Sequence, residues 1–124
     1  MDSTGRPQVL LGNLEPIMVL GLRDQLSEQG IDVVGQEDEG PRILRAAEHL
    51  QPDSVVLDLN DGGAHRLADA IRRASPSSKV VLWARDETVM EVLDPDAADT
   101  RLVAVTTAEG LCSELRDSRH RVRE

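Results

Sequence analysis

At 124 residues, 40% of them hydrophobic and 30% charged, the chain suits one compact domain with one modest core. A formal net charge of -9 argues against generic attraction to nucleic acid phosphates or to an anionic membrane. The single cysteine, Cys112, excludes an intramolecular disulfide and a cysteine-based metal cluster. No apolar run approaches a bilayer span or a secretory leader, so a cytoplasmic location is expected.

Residues 1–7 read as a flexible amino-terminal tail, 8–117 as the folded domain and 118–124 as a basic carboxyl-terminal tail. Gln8 to Gly12 is a short buried strand, and Pro16 opens a helix that ends at Gly30. Ile31 to Gly35 is a second strand with β-branched residues. Pro41 to Leu50 then carries Ile43, Leu44, Ala47 and Leu50 at helical spacing. Ser54 to Leu59 is a third strand, Ala64 to Ala74 a third helix with Leu67, Ala68 and Ile71 on one stripe, and Lys79 to Ala84 a fourth strand. Glu87 to Leu93 is expected as a weaker helix. After the acidic link Asp94 to Asp99, Leu102 to Val105 is the fifth strand and Ala108 to about Asp117 the fifth helix. Five β/α steps imply a doubly wound α/β domain with parallel strands and helices on both faces. In such sheets the functional crevice lies beyond the carboxyl ends of the strands.

Those ends carry no dinucleotide or P-loop glycine pattern and no nucleophile elbow. His49, His65 and His120 have no spaced partners for a triad or a metal, and each reads as a surface histidine. Cys112, at a half-buried helix position, is given no catalytic role. Along the first helix, Met18, Leu22 and Leu26 face the sheet and leave Leu20 on the opposite side, as a partner contact or against a neighbouring element. Trp83, the one aromatic residue, reads as core and as a second candidate contact. The acidic run Glu37-Asp-Glu39 reads as a solvated loop at the crevice mouth, and the arginines of the tail as a solvated helix end.

The segments Val9-Leu-Leu-Gly-Asn-Leu-Glu-Pro16, Ile31-Asp-Val-Val-Gly35, Gln51-Pro-Asp-Ser-Val-Val-Leu-Asp-Leu59 and Ile71-Arg-Arg-Ala-Ser-Pro-Ser-Ser-Lys-Val-Val-Leu82 resemble the receiver domain of bacterial two-component response regulators. The resemblance runs from about Gln8 to Asp117. It implies a flavodoxin-like (βα)5 sandwich with a central five-stranded parallel sheet in the order 2-1-3-4-5. Receivers accept a phosphoryl group on a strand-three aspartate. Mg²⁺ is held there by that aspartate and an acidic pair after strand one, with a hydroxyl residue ending strand four and a lysine ending strand five. Such transfer needs charge neutralised around an in-line acceptor.

On this chain Asp58 takes the acceptor's place. The acidic pair is replaced by Asn13 and Leu14, the hydroxyl by Ala84, the lysine by Thr106 and the switching aromatic of strand five by Val103. Glu15 and Asp61 are the nearest acids that could stand in, and Asn60 joins Asp61 in the glycine-rich turn Asn60-Asp-Gly-Gly63 that replaces the family's Met-Pro-Gly. The reading therefore expects no enzyme activity, no catalytic residue, no metal and no cofactor, Mg²⁺ included.

The resemblance implies an atypical receiver-like signalling domain that acts through phosphorylation-independent protein contacts in bacterial signal transduction or transcriptional regulation. The expected partner is a protein or a second copy, bound through the face of strand four, helix four, strand five and helix five, with no direct contact to nucleic acid or membrane. Two alternatives stay open: a phosphoacceptor modified on Asp58 by a histidine kinase, and a small-molecule sensor using the vacated pocket.

Overall fold

The computed structural model describes residues 6–105 and 107–122, with residues 117–122 described by backbone alone. Its elements in chain order are β1 (Gln8–Gly12), α1 (Pro16–Glu28), β2 (Asp32–Glu37), α2 (Gly40–Leu50), β3 (Ser54–Asp58), α3 (Ala64–Ala74), β4 (Lys79–Trp83), β5 (Val89–Leu93), β6 (Arg101–Ala104) and α4 (Ala108–Val122).

The first four strands follow the expected order. They lie β2-β1-β3-β4 and pair in parallel, with Leu10 beside Val55 and Val55 beside Val80. Side chains alternate between two apolar layers. Val9, Leu11, Val56 and Val81 join Leu22 and Leu26 of α1 and Leu111 and Leu115 of α4 on one side. Leu10, Val55, Leu57 and Val80 join Ile43, Ala47, Ala68 and Ile71 of α2 and α3 on the other. Gly12 ends β1 where helix and sheet come closest: a Cβ there would sit 2.9 Å from Leu57 Cδ2 and 3.0 Å from Ile43 Cδ1.

Helix ends are set by local chemistry. Pro16 occupies the first turn of α1, where a missing N–H costs nothing. At its other end Gly30 takes φ 78°, its N–H donates to Ser27 O at 3.1 Å, and the Ile31 N–H reaches back to Leu26 O at 2.9 Å. This is a Schellman closure, with Ile31 and Leu26 in the same apolar cluster.

Beyond β4 the architecture departs from expectation. The segment read as a helix over 87–93 is strand β5, antiparallel to β4, and β6 is antiparallel to β5. The sheet is therefore mixed and six-stranded, in the order β2-β1-β3-β4-β5-β6, in place of a parallel five-stranded (βα)5 sheet. Two physical reasons account for it. Met90 and Val92 are buried in one apolar layer and alternate with the exposed Val89 and the half-buried Glu91, while Leu93 enters the opposite layer, a period of two. With Val89–Leu93 extended as a strand, the links 84–88 and 94–100 are shorter than the dozen or so residues that a parallel return requires. The contact face expected to include a fourth helix thus has a β-hairpin in that helix's place.

A buried ion network fastens the hairpin to α4. Lys79, fully buried at the start of β4, donates from Nζ to Glu114 Oε2 at 2.6 Å and to Glu114 O at 2.9 Å. Arg101 of β6 donates to Glu114 Oε2 at 2.7 Å and holds both carboxylate oxygens of Asp94 at 2.8 and 3.0 Å. Burial pushes the Glu114 carboxyl up, but hydrogen bonds from Arg101 and Lys79 outweigh it and leave the group below its ordinary value. Hydrogen bonds to Asp94 and Glu114 raise Arg101. Arg72 of α3 closes the loop after β5 through Asp94 O and Ala97 O.

Candidate functional site

The carboxyl ends of β1, β3 and β4 meet at one edge of the sheet, as the topology rule expects. Asp58 is the last residue of β3, opposite Trp83 of β4. Its Oδ1 accepts the Asn60 N–H at 2.9 Å and its backbone oxygen accepts the Asp61 N–H at 3.1 Å. A cavity of about 130 Å³ opens beside it, lined by Glu15, Met18, Asp58, Asn60, Ala84, Arg85 and Asp86.

The expected site residues separate into those this cavity gathers and those it does not. Glu15, at the amino end of α1, makes no side-chain cap bond and lines the cavity. Ala84 is buried and gives the wall a methyl group where the resemblance calls for a hydroxyl. Asn60 lies across the mouth, donating from Nδ2 to Asp86 Oδ1 at 2.9 Å.

Asp61 points elsewhere: its Oδ2 accepts the Gly63 N–H at 3.1 Å within the β3–α3 turn, an Asx turn. Leu14 is buried in the apolar layer under α1. Asn13 holds φ 58° and donates its N–H to Glu37 O at 2.8 Å, a left-handed position that asparagine tolerates better than most residues. Asn13, Leu14, Glu37 and Asp38 line a second cavity of about 420 Å³ between β1 and β2. Glu15 borders both cavities, so the acidic run after β2 is set off from Asp58. Thr106 lies outside the described residues, as do the side chains of the basic tail.

Among the described residues no three His, Cys, Asp or Glu side chains group as a metal cluster. Asp86 and Arg85 gained no role from the sequence. The strand-end rule points to their loop, but only the Asn60 contact shows what Asp86 does.

The remaining candidates sit around α1 and the hairpin. Val103 packs half-buried against the apolar layer beneath α4. Trp83 is nearly buried in that layer and lines a cavity of about 300 Å³ with Ile17, Met18, Arg85 and Thr107. Leu20 is 70% exposed, beside the equally open Ile17, as the helical wheel predicts. Cys112 is fully buried rather than half-buried, and desolvation raises its thiol.

No helix among the described residues is long and apolar enough to cross a membrane. No family model matches the chain. Curated relatives do. Response regulator protein VraR of Staphylococcus saprophyticus is 27% identical over 115 residues, covering 88% of this chain and 54% of that protein. Response regulator GacA of Pseudomonas aeruginosa is 32% identical over 105 residues, covering 82% and 45%. The nitrate/nitrite response regulator NarL of Escherichia coli is 33% identical over 78 residues, covering 60% and 36%. The chain thus spans about half the length of these relatives or less.

Proposed function

We propose that this chain, a homologue of response regulators with a receiver-like α/β fold, works as an atypical signalling domain that binds protein partners without phosphorylation. The observation that carries the reading is the wall around Asp58. At the positions where the resemblance calls for an acid and a hydroxyl, Leu14 is packed into the core and Ala84 supplies only a methyl group. An incoming phosphoryl group would meet no hydroxyl donor from Ala84 and no second acid from Leu14. Asp58 meanwhile has a structural task, accepting the Asn60 N–H in the turn. A role in bacterial signal transduction or transcriptional control, a cytoplasmic setting and the absence of enzyme activity belong to the same proposal.

One observation favours a second reading, phosphorylation of Asp58. Glu15 and Asp86 line the same cavity and offer carboxylates for a hard cation. Incubation with acetyl phosphate and Mg²⁺ followed by intact mass measurement separates the two. The first reading expects no mass gain and an unchanged set of captured proteins in Asp58→Ala. A gain that disappears in Asp58→Ala would overturn it.

A further inference from the structure

β6 is the last strand of the sheet, and among the described residues nothing pairs with its outer edge. The register decides which groups face outward. The Val105 N–H donates to Thr88 O at 2.8 Å, Val103 lies opposite Met90 and Ala104 opposite Val89. Residues 101, 103 and 105 therefore exchange hydrogen bonds with β5, while Leu102 and Ala104 aim their N–H and C=O groups away from the sheet. The side chains follow the same alternation. Arg101 and Val103 turn toward α4 and the core, whereas Leu102 is 69% exposed and Ala104 is exposed with it.

Arg101-Leu-Val-Ala104 is guarded only by its shortness and the inward charge of Arg101: it has no proline, no lysine and no bulge against β5. Its one charge, Arg101, is turned inward onto Asp94 and Glu114. On a chain of net charge -9, whose other edge strand runs into Glu37-Asp-Glu39, the outward positions of this edge, Leu102 and Ala104, carry no charge. Two acidic copies can meet there without opposing like charges at the contact.

The geometry points to a second copy of this chain as the occupant, added by antiparallel pairing of β6 with β6 about a two-fold axis through Val103. In that register Leu102 faces the partner's Ala104, and each such pair exchanges N–H···O=C bonds both ways. Every outward group of Leu102 and Ala104 is then satisfied. The leucine side chain lies over the small alanine, and one sheet runs through both copies. A closed two-fold contact of this kind uses each edge once and stops at the dimer. This inference rests on the protein-contact reading above and names its partner.

Sedimentation velocity of the full chain, from micromolar to near-millimolar concentration, tests it. The wild type is expected to shift from monomer to dimer. Ala104→Pro removes an N–H that serves only the contact, in an extended edge position that suits proline, and is expected to weaken association about tenfold or more. Leu102→Lys acts in the same direction through charge and decides the matter should the proline variant lose its native circular dichroism. Leu20→Lys on α1 leaves the dimer intact. A wild type that stays monomeric, edge variants that dimerise normally, or a dimer lost in Leu20→Lys would each overturn the inference. Capture of the same proteins by wild type and Asp58→Ala would still uphold the function proposed above, so the two fail separately.

Discussion

The two ends of the sheet are held together by different physics. In β1, β3 and β4 nearly every residue is buried on one face or the other, while the edge strand β2 is only half-buried, and cohesion comes from two apolar layers. In the hairpin and α4, β6 half-buries only alternate residues, and a chain of charges from Lys79 through Glu114 and Arg101 to Asp94 ties the pieces together. The network reaches into the parallel region through Lys79 of β4, and the antiparallel end depends on it. That end also contains Ala84, Val103 and the segment in which a fourth helix was expected, while Asn13, Leu14 and the Asn60 turn depart from the receiver pattern in the parallel region. A buried network of this kind adds little net stability as a whole, yet it is costly to break, because removing one member strands the others without water.

Glu114→Ala should produce the largest effect. It leaves Lys79 buried without its carboxylate and is expected to cost about 3–5 kcal/mol in chemical denaturation, with amide exchange accelerating in β5 and β6 before β1 and β3. Exchange that accelerates uniformly would erase the distinction between the two ends.

A pH series sharpens the contrast at intermediate size. The folded Glu114 carboxyl titrates below its unfolded value, so its contribution is complete above the unfolded carboxylate range and fades as pH falls through the folded value. Urea midpoints should therefore drop on acidification in the wild type and drop less steeply in Glu114→Gln. Parallel curves for the two proteins would remove Glu114 from the account.

The smallest effect belongs to the exposed pair His65 and Glu91, 2.8 Å apart between α3 and β5. His65→Ala should change stability by less than about 1 kcal/mol. A larger loss would mean that this contact also anchors the hairpin.

Much of this was legible along the chain. Apolar runs bounded by glycine, proline and serine marked β1 to β4, helical spacing marked α2 and α3, and the wheel of α1 turned Leu20 away from the sheet. Asp58 at the end of β3 was legible for the same reason. The segment 87–93 was not, because a run this short fits either period and residues 84–100 are long enough for a helix and a parallel return, so only its pairing with β4 decides the matter. The turn of Asp61 toward Gly63 carried a local signal, an aspartate two residues before a glycine. Lys79 carried none: a lysine opening a strand looks like an exposed flank, and its burial is decided by Glu114, 35 residues away.

Local pattern thus determined the four parallel strands, their helices and the identity of the residues around Asp58, since period, caps and turn residues act over a few positions. Tertiary structure alone decided that the sheet turns antiparallel, that Lys79 is buried, that the crevice divides at Glu15 and that Leu102 and Ala104 stand on an open edge. Each of these depends on which distant groups come within hydrogen-bonding reach.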